Sequence, residues 1–182
     1  MKKNITLTRI VFGAVMAAMV YVVTLFRFPL LGSKVHFANA VCLLCGMLLG
    51  PVQGGVAAGL GSALFDAFTG YDLLNVLITF VSKFAMAWVC GTILGKETVK
   101  TPPMGRIVLA CVLGALSYVA LYMLKSAIYG AIAGNAWAAV ASKFPASIIN
   151  AGVAIVAAPI FYHAVRPALK ASGILTRLQE AR

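Results

Sequence analysis

The chain is written in apolar blocks, most about twenty residues long, separated by short polar breaks. The blocks predict six helices, at about residues 5–28, 37–49, 52–68, 73–94, 107–133 and 137–165, with a basic tail over 166–182. The breaks have the right chemistry for stops and turns. Arg27, Phe28, Pro29 and Gly32 end the first block, and a connection reaches His36. Gly50-Pro51 separates the short second helix from the third, and Thr69-Gly70-Tyr71-Asp72 and Gly134-Asn135 read as tight turns. Lys96 to Arg106, with Pro102-Pro103, is the clearly polar loop of the middle of the chain. The first block follows Met1-Lys2-Lys3-Asn4, as a signal peptide would. It runs past Ala17 and Ala18 to Phe26 without a polar cleavage region and is expected to be a retained helix.

Composition turns this pattern into a membrane reading. Hydrophobic residues make up 62% of the chain and charged residues 10%, with a mean hydropathy of +0.99. Ordinary soluble domains carry about 25% charged residues. The expected fold is an all-α membrane protein, a single compact bundle of about six transmembrane helices over residues 1–182. A net charge of +11 invites a nucleic-acid reading, but the basic residues sit between apolar runs and form no water-facing stripe, so no nucleic-acid partner is expected. Basic loops facing anionic membrane lipid account for the same charge.

Lys2, Lys3, Arg9, Lys96, Lys100, Arg106, Arg166, Lys170, Arg177 and Arg182 fall on one side of the predicted bundle, and Arg27 and Lys34 on the other. The ten-to-two split predicts that both termini of a multi-pass membrane protein are cytoplasmic. Merging the second and third helices would destroy the asymmetry, which favours an even number of spans.

Catalytic chemistry finds no support. Cys42, Cys45, Cys90 and Cys111 all lie in apolar blocks, and Cys42-x-x-Cys45 lacks a second pair. His36 and His163 are isolated, and metalloprotease, serine-hydrolase and phosphate-loop motifs are absent. Neither an enzyme, a metal nor a cofactor is expected. Lys83, Lys125 and Lys143 fall inside predicted spans, where a lysine at the centre costs roughly 2.5 to 3.5 kcal/mol.

Tyr118, Tyr122, Lys125 and Tyr129 follow one helical stripe, and Lys143, Ser147 and Asn150 another. With Asn75, Thr79 and Ser126 they predict an outward-facing ligand pocket. The expected substrate-binding set is Asn75, Thr79, Tyr122, Lys125, Tyr129, Lys143, Ser147 and Asn150. The alternative for any single lysine is snorkelling, or pairing with Asp66 or Asp72. On the first helix Ala14 and Ala18 form a small-residue face suited to close helix approach. A similar face at Gly55 and Gly59 leaves one of the two spare for a partner.

Taken together, the sequence resembles the substrate-binding S components of energy-coupling factor (ECF) transporters, the bacterial vitamin importers. The resemblance covers nearly the whole chain. It lies in Ala14-x-x-x-Ala18, in Leu48-Leu49-Gly50-Pro51-Val52-Gln53-Gly54-Gly55, in Gly61-Ser62-Ala63-Leu64-Phe65-Asp66 with Thr69-Gly70-Tyr71, and in Phe144-Pro145-Ala146-Ser147-Ile148-Ile149-Asn150. It is most similar to the subgroup with riboflavin, hydroxymethylpyrimidine and pyridoxine carriers.

The resemblance implies a pocket built from the first outer loop and the last three helices. It implies docking of the first helix, through Ala14 and Ala18, on a membrane-embedded coupling subunit with two ATPase subunits, and delivery of a vitamin or precursor by toppling. Ser147 and Asn150 stand where relatives are expected to carry an amide pair. An accessory membrane subunit without a solute ligand is the alternative function. A self-sufficient secondary transporter is less favoured, because the chain shows no repeated halves.

Overall fold

A computed structural model describes residues 2–30, 33–95 and 101–180. Lys96, Lys100 and Arg182, used above for orientation, and Gly32, used as a helix stop, lie outside the described residues. The chain folds as α1 (Lys2–Leu25), a hairpin of β1 (Phe28–Leu30) and β2 (Ser33–Val35), then α2 (Ala38–Leu49), α3 (Pro51–Phe68), α4 (Leu73–Leu94), α5 (Met104–Ile132), α6 (Ala136–Ala171) and α7 (Ile174–Glu180). The protein is helical, as expected. The connection after α1 differs from the expected loop in forming an antiparallel pair, Phe28 opposite Val35 and Leu30 opposite Ser33.

Four of the described helices are long and apolar enough to cross a membrane: Leu7–Leu25 within α1, α4, α5 and α6. α2 has a different role. Its twelve residues are all buried, so a helix apolar on every side becomes the axis of the bundle. It packs against α1, α3, α4 and α6. At its far end Gly50 takes φ 84°, a left-handed conformation that glycine adopts without strain, and its N–H reaches the carbonyl of Gly46 at 3.0 Å. Pro51 opens α3 at its first turn, where the missing N–H costs nothing.

The two small-residue faces have different fates. A Cβ built on Gly55 would lie 2.8 Å from the Phe84 ring, and one on Gly59 2.9 Å from the Phe80 ring. The α3 face is therefore filled by α4. On α1, Ala14 and Ala18 are exposed, whereas Met16 and Val20 are buried.

The tail also departs from the expected pattern, because α6 continues through Pro167 to Ala171 and α7 follows. A proline inside a helix forfeits one backbone hydrogen bond. Burial of Leu169, Leu175 and Leu178 in the core offsets that loss.

Candidate functional site

The short connections make successive helices antiparallel, so the end of α1, the start of α2, the end of α3, the first half of α4, the second half of α5 and the first half of α6 meet beneath the hairpin. There they line a partly open cavity of about 610 Å³. Of the eight residues predicted for substrate binding, six are on its wall: Thr79, Tyr122, Lys125, Lys143, Ser147 and Asn150. Asn75 and Tyr129 are not brought to it. Asn75 sits in the first turn of α4, where its backbone N–H donates to Asp72 Oδ2 at 3.1 Å and its side-chain amide donates to Asp72 Oδ1. Those bonds hold the Asp72 carboxyl below the usual carboxylate range and cap the helix. Tyr129 lies one turn beyond Lys125, whose Nζ is 5.9 Å from its ring, and its buried hydroxyl has no partner among the described residues.

The wall also carries residues absent from the predicted set. Thr24 and Arg27 come from the end of α1, Ser62, Phe65 and Asp66 from α3, and His36 and Tyr71 from the connections. Lys83 and Tyr118 complete the α4–α5 side. Charge was the available signal, since Arg27, Asp66 and Lys83 are ionisable groups in or beside apolar blocks, where such residues are rare.

Lys83 is 5% exposed. Its ammonium donates to Asn39 Oδ1 on α2 and stands 3.9 Å from the centre of the Tyr118 ring. Tyr118 stacks in turn on Tyr122, with centroids 5.9 Å apart and planes inclined at 19°. Arg27 lies over the Phe65 ring at 4.3 Å. At the top, the His36 backbone N–H donates to Asn150 Oδ1 at 3.0 Å, joining the connection after β2 to α6. His36 itself is neutral over the physiological range. Burial, reinforced by the positive charges of Lys83 and Arg27, lowers its pKa to about 3.

The described helices thus surround one central helix and leave a polar chamber at one end. A family model described as "ECF-type riboflavin transporter, S component" matches residues 4–167. The chain belongs to that family. It is also similar to an uncharacterized protein in the gap 3′ region of Pyrococcus woesei, 37% identical over 101 residues. That stretch is 54% of this chain and 64% of the relative, so the chain spans somewhat less than two thirds of the relative's length.

Proposed function

We propose that the protein is the substrate-binding subunit of an ECF-type importer, and that it captures a water-soluble vitamin or vitamin precursor in the cavity beneath the hairpin. The cavity is the observation that carries this reading. Its volume of about 610 Å³ is in the range of small-molecule sites, and its wall mixes aromatic rings with a few polar groups that converge from different helices. A membrane protein that merely packed its helices would have no reason to hold charged groups around a void at that depth.

In this reading the chain crosses a bacterial plasma membrane six times with both termini cytoplasmic, which the ten-to-two distribution of Lys and Arg supports. The exposed Ala14 and Ala18 face of α1 docks on the coupling subunit, whose two ATPase partners supply the energy for toppling and release.

Titration calorimetry on Lys125→Met, Lys143→Met and Asn150→Ala tests the site. Loss of a buried polar partner is expected to cost roughly 1 to 3 kcal/mol, or about 5- to 150-fold in affinity. Unchanged affinity in all three variants would move the site elsewhere.

A further inference from the structure

The cavity wall is electrically one-sided. Four cationic side chains, Arg27, Lys83, Lys125 and Lys143, face it with one carboxylate, Asp66, a formal excess of three positive charges. His36 is neutral and adds nothing to that excess. Two of the cations have neutral contacts, Lys83 the Asn39 carbonyl and the Tyr118 ring and Arg27 the Phe65 ring, whereas Lys125 lies 5.9 Å from the Tyr129 ring and interacts electrostatically with Asp66 and with Asp72 outside the wall.

The backbone adds to the same field. α2 points its N-terminus at the cavity, Ala38 in its first turn lines the wall, and its cap position, Phe37, makes no side-chain hydrogen bond to the first turn. Beside it the Asn39 amide nitrogen is fully buried and has no partner among the described residues. A buried lysine and an uncapped helix N-terminus therefore meet at the cavity floor, while Asn39, bonded to Lys83, is not itself on the wall.

We propose that the substrate of this cavity is a small oxyanion, a carboxylate or phosphate monoester, and that Lys83 is its specificity-determining contact. The proposal rests on the binding role argued above. An anionic group replaces the water that the floor cations lose on burial, and a neutral ligand of the same shape leaves the excess charge in place. Lys125 and Lys143, nearer the hairpin end, steer the anion inward, a contribution that salt screens.

The test uses matched pairs that differ mainly in charge: riboflavin and riboflavin 5′-phosphate, pyridoxine and pyridoxine 5′-phosphate, nicotinamide and nicotinate. Affinities are measured on the full-length protein in lipid nanodiscs at low and high salt. In whichever pair binds, the anionic member is expected to bind at least about tenfold tighter. Lys83→Met should reduce that preference to less than about threefold, and Lys125→Gln should reduce it less and chiefly at low salt. Lys125→Gln changes a partly exposed side chain and keeps the test valid should Lys83→Met fail to fold.

A neutral member that binds as tightly as its partner, or a preference unaffected by both substitutions, overturns the proposal. Native mass spectrometry separates the two levels of inference. A retained neutral molecule overturns the anion preference and leaves the binding role standing. Absence of any retained molecule, together with no binding of either member of any pair, overturns the binding role itself and the proposal with it.

Discussion

Two small-residue faces that look alike in sequence should respond oppositely to added bulk. On α3, a Cβ at Gly59 would stand 2.9 Å from the Phe80 ring and 3.0 Å from the Phe80 carbonyl oxygen, and one at Gly55 2.8 Å from the Phe84 ring. A carbonyl oxygen cannot rotate away as a side-chain terminus can, so Gly55→Val with Gly59→Val must separate α3 from α4. Overpacking costs about 1 to 3 kcal/mol per site, and removing a helical glycine returns at most about 1 kcal/mol. At a mid-range overpacking cost of about 2 kcal/mol per site the pair should lose roughly 2 to 4 kcal/mol, which at about 2 to 4 °C per kcal/mol lowers the melting temperature by about 4 to 16 °C.

On α1, Ala14 and Ala18 are exposed, and Ala14→Trp with Ala18→Trp should change stability by no more than about 0.5 kcal/mol per site. Circular-dichroism melts of the purified variants, ligand titration and uptake in cells separate the cases. The α1 pair should melt like the parent and bind ligand normally, yet fail in uptake because bulk prevents docking. A melting temperature reduced as far as in the α3 pair would show that the alanine face is internal packing and would refute the assignment.

The orientation predicts that Met104→Cys, placed in a variant lacking the four native cysteines, is protected from an impermeant maleimide in intact cells and reacts after permeabilisation; labelling of intact cells would reverse the topology. For His36, the unfolded chain takes up a proton below about pH 6.5 and the folded protein only near the lowered value of about 3, so the unfolded state holds more protons in between. Stability is therefore fully present above about pH 6.5 and falls as the pH decreases, by no more than about 2 kcal/mol at pH 5, and His36→Gln should flatten this part of the profile; an unaltered profile would assign the loss to other groups.

Much of the architecture was legible because a membrane span declares itself by a continuous apolar run, and the breaks declare themselves by glycine and proline. Gly50-Pro51 is the clearest case, since one residue needs a left-handed φ and the next suits the first helical turn. The three-residue strands β1 and β2 have no periodicity long enough to read, and the continuation of α6 beyond Pro167 depends on burial of Leu169, Leu175 and Leu178, a tertiary fact. The candidate site divides in the same way. Helical spacing on α5 and α6 was enough to collect Tyr122, Lys125, Lys143, Ser147 and Asn150, although the same α5 stripe also selected Tyr129, which does not reach the wall. Thr24, Ser62 and Tyr71 reach the wall from α1, α3 and a turn, and no stripe on one helix reports which other helix faces it.

The reason a cavity exists at the hairpin end lies in helix length. α2 has twelve residues and α4 twenty-two, so the central helix is about 18 Å long where its neighbour is about 33 Å. Gly50 and Pro51 tie the lower end of α2 directly to α3, which puts the whole deficit at its N-terminus. The surrounding helices continue past that point and cannot collapse inward, because α3 and α4 are already in contact through Gly55, Gly59 and the two phenylalanines. What remains above Ala38 is a space walled by helix faces and bridged by the Asn150 to His36 hydrogen bond. The same shortness explains the chemistry of the floor. A helix that ends inside the bundle presents its unsatisfied N–H groups to the interior, and Asn39 and Lys83, bonded to each other rather than to those groups, are buried where a full-length helix would have placed only apolar side chains.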